Sequence, residues 1–99
     1  MHGLQPWLQP YAEYLVSLFP RLQVTSVYRS PTKQLELWNN RHNTPYPVAP
    51  PGSSYHEYGR AWDMVGPPED LEYAGRIWEH WGGTWGGSFG SSDPIHFQA

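Results

Sequence analysis

The sequence predicts an α+β domain, a small antiparallel sheet packed with about three helices. Three segments place apolar residues at helical spacing between proline or glycine stops, residues 11–19, 30–40 and 67–81. Four shorter stretches have the β-branched content or alternation of strands, residues 22–28, 60–65, 84–85 and 95–98. The 99 residues contain no internal repeat and no linker, so residues 1–99 are expected to form one domain.

The elements follow in order. Pro10 suits a first helical turn and Pro20 stops that helix, with Tyr11, Leu15, Leu18 and Phe19 expected on its buried face. Leu22 to Tyr28 reads as a strand that delivers Arg29 at its end. Ser30 is an N-cap candidate and Pro31 takes the favoured first position of the next helix, which carries Leu35, Leu37 and Trp38. Residues 44–54 hold four prolines, a glycine and two serines, and read as a stiff, extended loop that leads into His56 and walls the site. Residues 60–65 form a strand with Ala61 and Asp63 on one side and Arg60 and Trp62 on the other. Glu69 and Asp70 complement the dipole of the third helix, whose expected buried face is Leu71, Ala74, Ile77, Trp78 and Trp81. Gly82 and Gly83 end it, and a glycine- and serine-rich turn, residues 86–92, separates the last two strands.

Composition narrows the function. Six Trp and seven Tyr exceed what a small core hides, so some rings are expected to line a groove while the core takes the larger share. The net charge of −3 and the lack of any Lys/Arg cluster argue against nucleic-acid binding. There is no cysteine, which excludes disulfides and thiolate zinc sites. No apolar run approaches the ~20 residues of a membrane span. The start lacks a basic segment followed by an apolar one, so no signal peptide is expected.

The most informative stretch is Ser54-Tyr55-His56-Glu57-Tyr58-Gly59-Arg60-Ala61-Trp62-Asp63. It sets a histidine and an aspartate seven residues apart, and Asp93-Pro94-Ile95-His96 adds a second histidine preceded by a carboxylate. Two histidines and one carboxylate are a common ligand set for a catalytic zinc ion, and a further carboxylate nearby is what such a site needs as a general base. The chemistry implied is hydrolysis. Asp63 lies in an otherwise apolar strand and needs a partner, either a metal or a salt bridge to Arg29 or Arg60. Asp93 precedes His96 by three residues, so the chain must bend at Pro94 for both to reach one site. His2, His42 and His80 are given no role.

The pattern Ser54-x-His56-x-x-Gly59-x-Ala61-x-Asp63 followed by Asp93-x-x-His96 resembles the zinc peptidases that cut peptidoglycan cross-link peptides. These include D-alanyl-D-alanine carboxypeptidases, vancomycin-resistance dipeptidases and phage L-alanyl-D-glutamate endopeptidases, on a fold shared with Hedgehog proteins. Val27-Tyr28-Arg29-Ser30 with Gln34 resembles their upstream arginine segment. Trp85-Gly86-Gly87 and His96-Phe97-Gln98 resemble the phage endopeptidase branch.

The resemblance implies one Zn2+ per chain held by His56, Asp63 and His96, and Asp93 as the general base. It implies Arg29 as a catalytic and substrate-binding arginine, with Ser54 and Gln34 also at the substrate. Arg29 could stabilise the oxyanion or pair with a carboxylate of the stem peptide through its planar fork. The base position is usually glutamate in the carboxypeptidase branch, so aspartate favours the endopeptidase.

The expected partner is the bacterial peptidoglycan stem peptide, acted on by a monomer without nucleic acid or membrane. The missing signal peptide and small size fit a phage lysis enzyme released from the host cytoplasm onto the cell wall, or a piece of a tail protein. The alternatives are a D-alanyl-D-alanine carboxypeptidase or dipeptidase, and a non-catalytic zinc or cell-wall binding domain.

Overall fold

A computed structural model describes residues 1–99. The regular elements are α1 (Gln9–Ser17), β1 (Gln23–Ser26), α2 (Pro31–Asn39), β2 (Ala61–Val65), α3 (Pro68–His80), β3 (Thr84–Trp85) and β4 (His96–Gln98), with short 3-10 turns at Arg41–Asn43, Tyr55–Tyr58 and Gly86–Ser88. The strands form one antiparallel sheet in the order β1-β2-β4-β3. The α+β class, the three helices and the antiparallel sheet agree with the sequence expectation. No helix is long and apolar enough to cross a membrane.

The sheet separates the core from the site. In β2 the alternation sends Trp62 and Met64 into the core, where both are fully buried, and turns Asp63 the other way. In β4 Phe97 enters the same core, while His96 and Gln98 face away from it. Trp62 stacks on Phe97 at 5.4 Å and meets the edge of Trp78 from α3 at 4.9 Å. The register pairs Asp63 with His96 directly across β2 and β4. Two residues 33 positions apart in sequence are thereby brought side by side on the open face.

Some packing expectations need correction. The buried face of α1 is Leu8, Ala12 and Leu15, one helical stripe; Tyr11 and Leu18 are exposed and Phe19 is only partly buried. Leu15 belongs to both stripes, and the observed one is turned by a fraction of a turn, so that Leu8 and Ala12 meet the core while the Tyr11 hydroxyl stays in water. Trp81 is also exposed, because it lies past the end of α3 and stacks on Tyr14 at the surface. Of the α2 residues only Gln34 is buried, and Leu35 is exposed, because this helix flanks the cleft rather than the core. The core does not take the larger share of the rings. All seven tyrosines are exposed, and only Trp62, Trp78, Trp85 and Phe97 are buried. A phenol hydroxyl keeps its water at the surface, whereas the buried indoles of Trp78 and Trp85 donate to the carbonyls of Gln98 and Pro94.

The N-terminal segment docks by Leu4 and Leu8 and by the Gln5 amide, which donates to the Gly59 carbonyl at 2.8 Å. Asp70, buried in α3, accepts a bidentate pair from Arg21 at 2.6 and 3.0 Å.

Candidate active site

Each element delivers one piece of the site. The Tyr55–Tyr58 turn carries His56, and Ser54 caps it: the Ser54 hydroxyl accepts from the His56 amide, while Glu57 accepts from the Ser54 amide at 3.1 Å. Gly59 closes the turn in the left-handed conformation, φ 65°, and a Cβ there would come within 2.9 Å of the Gly3 carbonyl. Glycine at this position therefore fixes how the chain passes from His56 to β2 and Asp63.

The Asp93 to His96 segment bends as the spacing required. The His96 amide donates to the Asp93 carbonyl at 3.0 Å, and the Asp93 amide donates to the Gly86 carbonyl at 2.8 Å. Gly86 permits that approach, since a Cβ there would lie 2.2 Å from the Asp93 carbonyl oxygen. The Trp85 indole, donating to the Pro94 carbonyl, pins the far side of the bend.

His56, Asp63 and His96 converge, with one ligand atom from each lying within 4.8 Å of the others. Their tautomers are set from outside the group. His56 Nδ1 is 2.6 Å from the Val27 carbonyl oxygen, which can only accept, so Nδ1 carries the proton and Nε2 offers its lone pair. That lone pair faces Asp63 Oδ1 at 3.2 Å. His96 Nε2 is 2.7 Å from Gln98 Oε1, also an acceptor, so its Nδ1 lone pair faces the same Asp63 oxygen at 3.3 Å. Three electron-rich atoms thus point at one place. A cation there satisfies all three, and the two-nitrogen, one-oxygen donor set suits a transition metal such as zinc. The outer acceptors, Val27 and Gln98, are what a metal-ligating histidine ordinarily has behind it.

Without a cation a proton on a ring nitrogen takes its place, and the contacts to Asp63 become hydrogen bonds. Burial pushes the Asp63 carboxyl up, but its bonds to His56 and His96 outweigh this and hold it at about 2. Burial pulls the His96 imidazole down, and the bonds to Asp63 and Gln98 outweigh it and leave it raised. Asp93 is raised by its burial, and its Oδ1 is buried without a hydrogen-bond partner. An unpaired carboxylate oxygen at the site, outside the ligand trio, is suited to taking a proton.

Arg29 reaches the same place. Its guanidinium lies 3.6 Å from Asp63 Oδ2 and donates to Ser26 Oγ at 3.1 Å and Gln34 Oε1 at 3.0 Å. Burial lowers its pKa from the ordinary arginine value. Of the two arginines expected as partners for Asp63, Arg29 is the one beside it, while Arg60 turns away to the Ala99 carbonyl. Gln34 is buried, with its Nε2 donating to the Ala49 carbonyl at 2.7 Å. Its amide spans from the arginine to the proline-rich loop.

These residues line a cleft of about 480 Å³. Tyr46, Pro47 and Val48 of the proline-rich loop line it, as the sequence suggested, and so do Phe89, Ser91 and Ile95. His2, His42 and His80 are exposed and outside it. Sequence reasoning missed the support behind the ligands. The Ser54-x-x-Glu57 capping box and the two-residue spacing of His96 and Gln98 were readable signals; the Val27 carbonyl leaves none.

A trio of metal-type ligands beside a buried carboxylate and an arginine, set in a cleft, is an arrangement suited to metal-assisted hydrolysis. The family model for VanY, D-alanyl-D-alanine carboxypeptidase, matches residues 17–81, and the chain belongs to that family. It is an enzyme, a peptidoglycan peptidase of the VanY type. The matched segment includes Arg29, His56 and Asp63; Asp93 and His96 lie beyond it.

Solved structures share the fold. The vancomycin-resistance D,D-pentapeptidase VanY E175A mutant from a VanB-type resistance cassette, in complex with Zn(II), is similar at 20% identity and TM-score 0.75, over 96% of this chain and 71% of that one. The LD-carboxypeptidase LdcB is similar at 19% identity and TM-score 0.73, over 97% and 65%. The L-Ala D-Glu endopeptidase ChiX of Serratia marcescens is similar at 21% identity and TM-score 0.69, over 97% and 80%. No curated protein sequence matches the chain.

Proposed function

We propose that this protein is a zinc-dependent L-alanyl-D-glutamate endopeptidase acting on the peptidoglycan stem peptide, with residues 1–99 as a single peptidase domain. The observation that carries the hydrolytic chemistry is the convergence of the His56, Asp63 and His96 lone pairs beside the unpartnered Asp93 oxygen. Zinc is the ion in the similar VanY structure, and the donor set here suits it.

A bound zinc ion supplies Lewis acidity, polarising the scissile carbonyl and making water acidic enough to react near neutral pH. The chain's own residues do the rest. Asp93 takes the proton from the attacking water and passes it to the leaving amine. Arg29 stabilises the developing oxyanion or pairs with a stem-peptide carboxylate. Two of its donors are already tied to Ser26 and Gln34, which fixes the plane of the fork. Gln34 contributes to substrate binding indirectly, since both its polar atoms are engaged within the protein. Ser54 borders the cleft and caps the turn that holds His56.

One observation favours the endopeptidase over a carboxypeptidase: the base position carries aspartate, where the carboxypeptidases that the sequence resembles usually carry glutamate. The second reading is a D-alanyl-D-alanine carboxypeptidase, favoured by the description of the matching family model. Mass spectrometry of a stem-peptide digest separates the two. New D-glutamate amino termini support the endopeptidase; release of terminal D-alanine alone overturns it in favour of the carboxypeptidase.

A further inference from the structure

Strand β4 sends alternate residues to opposite faces of the sheet. Phe97 is fully buried in the core, so His96 and Gln98 emerge together on the cleft side. The backbone of Gln98 is held on three sides. It pairs with Ala61 of β2 and Thr84 of β3, and its carbonyl accepts from the Trp78 indole at 2.8 Å. The side chain therefore leaves a fixed point. Its Oε1 sits 2.7 Å from His96 Nε2, the shorter of this ring's two polar contacts; Nδ1 to Asp63 Oδ1 is 3.3 Å.

The two histidines are supported differently. His56 is oriented by a backbone carbonyl, that of Val27, which no substitution removes. His96 is oriented by a side chain. An imidazole free to choose its tautomer and its rotation offers the right nitrogen only part of the time, and that fraction weakens metal binding directly.

We propose that Gln98 is a positioning residue for the metal centre: by accepting the His96 Nε2 proton it fixes the tautomer that leaves Nδ1 free as the ligand atom. It acts through His96 and does not touch the substrate. The proposal rests on the metal reading above, and it makes Gln98 a side-chain determinant of how tightly the ion is held.

The test uses the full chain stripped of metal, as wild type, Gln98→Leu and Gln98→Glu. Each is titrated with Zn2+ against a chromophoric chelator, and circular dichroism checks that each apo protein is folded. Leucine keeps the bulk and removes the acceptor; glutamate keeps the acceptor. Gln98→Leu is expected to bind zinc roughly 10- to 100-fold more weakly, the usual loss for such an outer partner. Gln98→Glu is expected to bind at least as tightly as wild type. Excess zinc should restore the turnover of Gln98→Leu with KM unchanged.

Equal zinc affinity in folded Gln98→Leu and wild type overturns the proposal and leaves the metal reading intact. A Gln98→Glu variant as weak as Gln98→Leu, or a raised KM that zinc does not correct, overturns it as well. A wild-type chain that takes up no zinc overturns the metal reading and this proposal with it.

Discussion

His56 and His96 approach one and the same oxygen, Asp63 Oδ1, through different ring nitrogens, Nε2 at 3.2 Å and Nδ1 at 3.3 Å. The remaining nitrogen of each ring is committed to an acceptor, the Val27 carbonyl and the Gln98 amide oxygen. The site is thus preorganised for a cation before any cation arrives.

Removing either ring should therefore remove the ion. His56→Ala and His96→Ala are expected to lose bound zinc and turnover together, measured as metal per chain after dialysis. Stripping the wild type with a chelator should lower its melting temperature, because an ion bound only by the folded state stabilises it. Full zinc occupancy in either variant would contradict the ligand assignment.

Asp93→Ala should separate metal binding from chemistry. Loss of a general base costs about 10²- to 10⁴-fold in rate, while zinc content should stay at the wild-type level. Burial raises the Asp93 carboxyl, and the base works only when ionised. In the zinc-loaded enzyme the ion's charge opposes that rise, so the acid limb of kcat/KM should report the protonation of Asp93 and change in the Asp93→Ala variant. A pH–rate profile compared with that of Asp93→Ala checks this, and an active variant with an unchanged acid limb rules Asp93 out as the base.

Gln34 and Arg29 should behave as one unit. Gln34→Leu frees one side of the guanidinium and unties the loop at Ala49. Arg29→Lys loses the planar fork and should cost activity more than stability. A double-mutant cycle on kcat/KM measures that coupling. The Gln34→Leu penalty should largely vanish in an Arg29→Ala background if Gln34 acts through the arginine, and should persist if it acts through the loop at Ala49 or on the substrate.

The metal-free protein should carry the charge network in its stability curve. Asp63 is held at about 2 against 3.8 when unpaired, so its contribution is full above the higher value and is lost as pH falls toward the lower. A shift of this size is worth roughly 2 kcal/mol. His96 has the opposite sign. Its raised pKa stabilises the fold at acid pH, and that contribution is lost as pH rises through the raised value. Urea unfolding of the apo protein should thus show greatest stability in mildly acid buffer. A curve rising steadily from acid to alkaline pH contradicts the network.

The site was more legible in the sequence than the packing. Asp63 stood out because a carboxylate in an apolar strand needs a partner, and the strand period put it opposite Trp62 and Met64. The bend between Asp93 and His96 followed from their odd spacing. Sequence could not show that β2 and β4 are neighbours, which is what joins Asp63 to His96 across the sheet. The stripe on α1 was misjudged because Leu8, just ahead of the helix, supplies its first buried side chain, and with Ala12 and Leu15 it sets a face turned by less than half a turn from the one through Tyr11 and Leu18. The tyrosines went astray for another reason: ring area argues for burial, whereas the phenol hydroxyl argues for the surface, and composition does not say which prevails.

The most direct test of the central claim is mass spectrometry of purified peptidoglycan digested by the zinc-loaded protein, with a chelated control and the Asp93→Ala variant alongside. The expected result is zinc-dependent fragments with new amino termini at D-glutamate, absent from both controls. Loss of terminal D-alanine alone would contradict the endopeptidase assignment. Fragments formed equally in the chelated sample would contradict the metal centre itself.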